Sequence, residues 1–423
     1  MNKKYYKKIN ECLYYEVLEN GLSVYYLPKQ DYNKAFVSCA INYGSFDIDF
    51  FIDNKEFNMP YGIQHFLEHK MFDMKDYDAS IKLSSYGAMT NAYTSYDKTE
   101  YQLSTTTNFK ESLEIFLNFI NTPYYTSQSI KKEVGIIENE IKMYLDYPDE
   151  KIQKKLYANM FNNHPITVDI AGTLDSIKLI NKDLLYLCYN SFYNPNNMVL
   201  FITGNFNLEE ARKIIKANQM SIKNNNVIKK ELEIKTKPFK NYEEIKLDIY
   251  IPKLQFSILL PNPKLNSEKQ ITYEFCISIL TELLFGSCSN YYEELLNNKL
   301  INESFYLEVL NYKNLNFITC DAETHYPHKL YERLNEIFSN LDKFLINEKE
   351  FNRIKNTLLG TFIKSFNNLE NISNNFIRYH FMGLDMFLIP DIIEKIKIED
   401  IYKLIKYINL DDISYLLVFP NDD

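Results

Sequence analysis

The stretch Tyr61-Gly62-Ile63-Gln64-His65-Phe66-Leu67-Glu68-His69-Lys70-Met71-Phe72 decides how the chain is read. A Tyr-Gly break opens an apolar-periodic run, the pattern of an amphipathic helix. On a helix, residues four apart project from one face, so His65 and His69 can offer two imidazole nitrogens to one metal ion. Glu68 falls beside them, one position before the second histidine. A carboxylate there lies close enough to a water on that metal to accept its proton, the general-base role in metal-assisted hydrolysis. The order H-x-x-E-H inverts the commoner H-E-x-x-H zinc pattern. The bland alternative is a helix with two surface or hydrogen-bonded histidines, and a third ligand at a sensible place is what separates the two readings.

Outward from this helix the chain alternates strand and helix signals. Upstream, an apolar run from Tyr14, an Asn20-Gly21 turn and a second run over 22–27 read as a hairpin. A strand over 36–43 follows. Downstream come a helix over 81–85 ending at Gly87 and strands over 91–93 and 99–104. Helices are expected over 111–120, 130–144, 152–161, 183–192 and 208–217, with a strand over 198–203. This mixed order predicts an α+β fold rather than a regular βαβ array.

Residues 218–230 are polar, rich in Asn and Lys and aperiodic, which places a domain boundary there and divides the chain into 1–220 and 221–423. The pattern then restarts with a strand over 255–260, helices over 269–284 and 290–296, and strands over 305–310 and 317–321. Helices over 330–344 and 348–364 and a closing strand over 413–419 complete it. The halves agree in length and element order, which predicts a duplicated domain.

A chain of 423 residues exceeds the size at which one core keeps growing, so two domains are expected on size alone. Its net charge of -9 and pI near 5.4 argue against a nucleic-acid surface, which needs a basic face. Residues 1–10 carry lysines but lead into no apolar h-region, and no apolar run approaches the roughly 18 residues of a membrane span. A soluble, cytoplasmic chain with neither nucleic acid nor membrane as partner is therefore expected. The six cysteines lack C-x-x-C spacing and are expected to be free and mostly buried, with Cys288 exposed in a polar turn.

The helix over 130–144 carries Glu133, Glu138 and Glu140. Glu133 and Glu140 are seven apart and share a face, whereas Glu138 lies elsewhere on the wheel. A carboxylate on that face could complete a His-His-Glu set and leave the fourth position of a catalytic zinc to water. The other histidines carry less: His325 and His328 flank Pro327 in an expected loop, His164 precedes a proline and packs locally, and His380 is isolated on a helix.

Taken with Gly87-Ala88-Met89-Thr90-Asn91-Ala92-Tyr93-Thr94 and Glu133-Val134-Gly135-Ile136-Ile137-Glu138-Asn139-Glu140, the HFLEH segment resembles the pitrilysin/insulinase family of zinc peptidases. The similarity is to its short bacterial branch akin to mitochondrial processing peptidase, and within it to Gram-positive members encoded as neighbouring pairs. Asn20-Gly21-Leu22, His164-Pro165, Ile170-Ala171-Gly172-Thr173, Phe192-Tyr193-Asn194-Pro195 and Gly204-Asn205-Phe206 match as well.

The resemblance implies two similar α/β-sandwich domains, each an antiparallel-rich sheet packed with helices. It also implies that His65, His69 and Glu140 hold Zn2+, and that Glu68 is the catalytic base. Glu133 joins the catalytic set as a carboxylate that orients a liganding histidine. Asn91 and Ala92 fall on the edge segment against which the family pairs an extended peptide substrate. The implied activity is a metalloendopeptidase acting on short or unfolded peptides in an enclosed chamber.

One departure qualifies this. The family offers an arginine and, about seven residues on, a tyrosine that grip the substrate carbonyl; the similar stretch here places Leu296 and Glu303 at those positions. Neither an aliphatic side chain nor an ionised carboxylate donates a hydrogen bond to a developing oxyanion. Either Tyr291, Tyr292 or Tyr306 stands in, or a homologous zinc-free subunit supplies the donors in a heterodimer. A homodimer is the other arrangement the resemblance allows. The rival reading is a non-catalytic, peptide-binding subunit of a processing complex.

Overall fold

In this computed structural model, residues 1–218, 227–232, 237–261, 265–312 and 315–421 are described. Strands β1 (Asn2–Tyr6), β2 (Glu11–Val17) and β3 (Ser23–Pro28) form an antiparallel meander that turns at Asn20-Gly21, where Gly21 adopts φ +88°. Strand β4 (Ala35–Ile41) is buried at every position. A short hairpin, β5 (Asp49–Ile52) and β6 (Lys55–Asn58), turns through Asp53 and Asn54, both at positive φ. That pair of left-handed residues matches a hairpin's twist, but its strands are too short and polar to announce themselves as strands.

Helices α1 (Ile63–Lys70) and α2 (Ala79–Ser85) lead into β7 (Met89–Thr94) and β8 (Thr99–Thr105). Helices α3 (Phe109–Asn121), α4 (Ser127–Asp146), α5 (Pro148–Phe161) and α6 (Lys182–Phe192) follow, then β9 (Met198–Gly204) and α7 (Leu208–Ala217). Helix α5 begins on Pro148, whose fixed φ and missing N–H suit a first turn. Past the first half come β10 (Val227–Lys229), β11 (Tyr242–Leu247) and β12 (Lys253–Leu260), then α8 (Ser267–Phe285) and α9 (Asn290–Asn297). Strands β13 (Tyr306–Tyr312) and β14 (Leu315–Glu323) precede α10 (Pro327–Ser339) and α11 (Glu348–Ser365). The expected loop carrying His328 is instead the first turn of α10, because Pro327 opens a helix there rather than breaking one. Helices α12 (Leu369–Phe381), α13 (Ile389–Lys395) and α14 (Ile398–Ile405) and strand β15 (Ile413–Pro420) complete the described chain.

The first sheet has seven strands in the order β1-β2-β3-β9-β4-β8-β7, with β3 and β9 parallel and the other pairs antiparallel. The second has five, β11-β15-β12-β14-β13, with β11 and β15 parallel. Strand by strand, β3-β9-β4-β8-β7 and β11-β15-β12-β14-β13 repeat one order with one pattern of directions. The chain is thus a duplicated α+β fold of two antiparallel-rich sheets, each packed with helices.

Two compact units result: Met1–Lys142 with Val168–Glu231 and Ser365–Phe387, and Met143–Thr167 with Leu232–Lys364 and Leu388–Asp423. The stretch 218–230, where the sequence suggests a boundary between 1–220 and 221–423, falls mostly on 219–226, outside the described residues. The units differ from that division by trading two segments. Helix α12 covers one face of the first sheet, its Phe376 stacking on Phe201 at 4.3 Å and packing on Tyr25 at 4.7 Å. Helix α5 buries Ile152 and Leu156 against Leu416 and Val418 of β15 in the second unit. A sheet with apolar residues on both faces needs helices on both, and covering helices can come from distant sequence.

Residues 267–297 are long and apolar enough to cross a membrane by length and composition, with mean hydropathy 1.3. The sequence reading expects no such run. Over half of its most apolar window is buried, and Ile271, Ile277 and Leu280 of α8 join the core of the second unit. In the first unit, Ile63, Phe66 and Leu67 of α1 are fully buried among Leu103, Phe116 and Phe119. That burial fixes the face α1 turns away from the core.

Candidate metal centre

Helix α1 starts without a side-chain cap, on Gly62 at φ +88°. A Cβ at Gly62 would sit 2.4 Å from the Ala171 carbonyl oxygen, and one at Gly172 (φ +86°) 2.5 Å from the Tyr61 oxygen. Ser176 Oγ donates to the Tyr61 carbonyl at 2.8 Å. The Ile170-Ala171-Gly172-Thr173 segment is therefore pressed against the start of α1, and only glycine permits the approach.

With its core face fixed, α1 presents His65 and His69 together, their ring centroids 4.4 Å apart. Glu140 of α4 meets both: its Oε1 lies 3.7 Å from His65 Nε2 and its Oε2 3.9 Å from His69 Nε2. One donor atom from each of the three residues falls within 4.8 Å of the others. Two imidazoles and a carboxylate at this spacing can hold a metal ion and are the donor set of a catalytic zinc site. Glu133, two turns earlier on α4, places Oε1 3.1 Å from His69 Nδ1, which leaves Nε2 of His69 as the free donor. Glu138 points elsewhere, its carboxylate 3.5 Å from Lys178.

The two histidines differ in their support. His65 Nδ1 is buried with no hydrogen-bond partner among the described residues. Burial, with the neighbouring His69, pulls the His65 imidazole down to about 4, so it stays neutral. Burial also pulls His69 down, but the Glu133 hydrogen bond and the charges of Glu68, Glu133 and Glu140 outweigh it and raise this imidazole. Glu140 is raised, by burial first and by Asp169 and Glu133, against the pull of His69.

Glu68 is 7 % exposed and buried beside the cluster, and burial pushes its carboxyl up to about 7 against the opposing effects of His69 and Thr94. Thr94 Oγ1 donates to Glu68 Oε2 at 3.2 Å. Thr94 ends β7, the outer strand of the seven-stranded sheet, so the base candidate is tied to the sheet edge. On that strand Asn91 is exposed and Ala92 half-buried. They pair with Gln102 and Tyr101 on one side and have no described strand on the other.

Thr94 closes the Gly87–Thr94 segment, and its period-two alternation with Ala92 is the sequence signal that it shares the α1 side of the sheet. Asp169, whose charge acts on both His65 and Glu140, gives no such signal because it reaches the site through a loop. The remaining histidines lie away from the cluster. His164 accepts a hydrogen bond from Ile166 N at 3.1 Å, His328 approaches Glu244 at 3.7 Å, and His380 packs edge-on against Tyr25.

At the expected oxyanion-donor positions, Leu296 is 40 % exposed on α9 and Glu303 is exposed beyond it. Tyr291 packs on Phe344, Tyr292 on Phe305, and Tyr306 is 57 % exposed at the start of edge strand β13. All six cysteines are free, with Cys288 exposed.

Comparison with known proteins gives a consistent picture. Residues 34–174 match the family model described as insulinase (peptidase family M16), and residues 179–358 match the model of the M16 inactive domain. A Bacillus subtilis (strain 168) protein named uncharacterized zinc protease YmfH is 36% identical over 408 residues, 95% of each chain. The crystal structure of an M16-like peptidase from Alicyclobacillus acidocaldarius superposes with TM-score 0.92 at 27% identity, covering 97% of this chain and 99% of that one. The periplasmic protease PqqL of Escherichia coli shares the fold at TM-score 0.77 and 18% identity, this whole chain matching 48% of it.

Proposed function

Because the chain belongs to the insulinase (M16) family of zinc peptidases, we propose that it hydrolyses short or unfolded peptides in an enclosed chamber, as the zinc-bearing subunit of a two-subunit enzyme. The observation that carries this reading is the convergence of His65, His69 and Glu140 beside a buried Glu68 and a strand edge unpaired among the described residues. His65, His69 and Glu140 are the residues that would hold the zinc. The chemistry a zinc ion would supply there is polarisation of the scissile carbonyl and a more acidic water.

The chain's own groups do the rest. Glu68, poised near neutrality by burial, takes a proton from the attacking water and returns one to the leaving amine. Thr94 holds that carboxylate in place. Glu133 keeps the proton of His69 on Nδ1. Asn91 and Ala92 offer main-chain groups to an extended peptide, which adds to the sheet as a further strand. Such a ladder requires extended backbone, so folded proteins are excluded as substrates. Six free cysteines agree with a cytoplasmic setting.

Glu68→Gln tests the reading. Peptide cleavage should fall by about 10²- to 10⁴-fold while zinc stays bound; retained cleavage sinks the assigned base. The absence of an arginine and tyrosine at Leu296 and Glu303 supports a zinc-free partner that brings oxyanion donors, worth roughly 10²- to 10³-fold in rate. Cleavage by the purified chain, with and without a zinc-free relative, measures that contribution; full activity alone removes the partner. The same absence favours a second reading, a peptide-binding subunit without activity, which predicts no cleavage under either condition.

A further inference from the structure

Lys70 follows His69 on α1 yet turns inward and is 2 % exposed. Its ammonium bonds to the Asp73 carboxylate and lies 3.3 Å from Glu133 Oε2. The other oxygen of Glu133 is the one 3.1 Å from His69 Nδ1. A buried ammonium persists only where charges and hydrogen bonds compensate its lost hydration, and here both compensating groups are carboxylates. We propose that Lys70 is a positioning residue for the metal centre: it clamps one oxygen of Glu133 so that the other stays on the Nδ1–H of His69.

The division of Glu133 between two partners gives the clamp its effect. A carboxylate held only by His69 can rotate about its χ angles and lose the hydrogen bond that fixes the imidazole plane. Held at both oxygens, it fixes the tautomer and directs His69 Nε2 toward Glu140. Asp73, at the rim of the helix end, anchors Lys70 from the far side. The chain Asp73, Lys70, Glu133, His69 thus runs from the protein surface to a candidate metal ligand. A lysine serving only to stabilise the fold would predict no link between its removal and metal affinity.

This inference rests on reading His65, His69 and Glu140 as metal ligands, and the test separates the two. Zinc is titrated into metal-free full-length chain against a chromogenic chelator, for wild type, Lys70→Met, Lys70→Arg, Glu133→Gln and the Lys70→Met/Glu133→Gln pair. Lys70→Met should weaken zinc binding about 10- to 100-fold, Lys70→Arg much less, and the double variant no more than Glu133→Gln alone. Wild-type-like zinc binding by Lys70→Met overturns the inference, as do losses that multiply in the double variant. A wild-type chain that binds no zinc overturns the ligand reading itself. If Lys70→Met fails to fold, Asp73→Asn carries the same test. A loss of about threefold or more that vanishes in the Glu133→Gln background supports the clamp, and unchanged affinity overturns it.

Discussion

The two sheets of this chain are the same construction put to different use. In the first unit β3-β9-β4-β8-β7 ends on an edge strand beside a helix bearing His65, Glu68 and His69; in the second, β11-β15-β12-β14-β13 ends on an edge strand with α8 and α9 before it. Helix α8 carries Glu268, Glu274 and Glu282 but no histidine, and its apolar residues pack into the core. One topology therefore supplies the edge and the helix twice, while the chemistry depends on a few side chains present once. The contrast is sharpened by Glu133, Lys70 and Thr94, which support the first helix by hydrogen bonds to its neighbourhood.

Three measurements bear on this contrast, the largest expected change first. One of Asn91 and Ala92 directs its N–H away from β8, so Asn91→Pro or Ala92→Pro should remove a main-chain donor from the substrate edge. For whichever it is, KM for an extended peptide should rise about five- to tenfold, whereas Leu307→Pro in β13 should leave KM within about twofold. Equal effects on both edges would mean that the two sheets share the substrate.

The second concerns the tie between edge and base. Thr94→Val removes the hydrogen bond that lowers the Glu68 carboxyl, so that carboxyl should rise further. The acid limb of kcat against pH should then move to higher pH, with kcat near neutrality down about three- to tenfold. An unshifted limb would detach Thr94 from the base.

The third uses two buried histidines, one in each unit. Burial pulls both His65 and His164 down to about 4 from an ordinary value of 6.5. The unfolded chain takes up protons first on acidification, so each contributes stability above pH 6.5 that is lost as pH falls toward 4. Zinc should add stability near neutrality that is itself lost on acidification, because protons compete with the metal for its imidazoles, and should leave the His164 loss untouched. Melting temperatures between pH 7 and 5 should accordingly fall more steeply with zinc in wild type, and His164→Gln should flatten the slope with and without zinc. A zinc effect abolished by His164→Gln would contradict the assignment.

Much of the site was legible because its elements declare themselves locally. The 3.6-residue period places His65 with His69 and Glu133 with Glu140, and the structure brings those pairs together. The hairpin at Asn20-Gly21 and the edge strand at Asn91 follow from turn chemistry and alternation. What sequence spacing leaves out is non-local. Nothing in residues 365–387 or 143–167 says which sheet they cover, since apolar helices fit either face. Lys70 reads as a surface residue by type, and only the approach of α4 buries it between two carboxylates. Gly62 and Gly172 look like ordinary breaks until their backbones meet.

If only one of the two similarly built units holds a metal, zinc stoichiometry should show it. Zinc per chain should be measured after dialysis for the wild type and for the His65→Ala/His69→Ala variant. One zinc per wild-type chain and none in the variant is expected; undiminished zinc in the variant, or two per wild-type chain, would place metal outside the His65, His69 and Glu140 cluster.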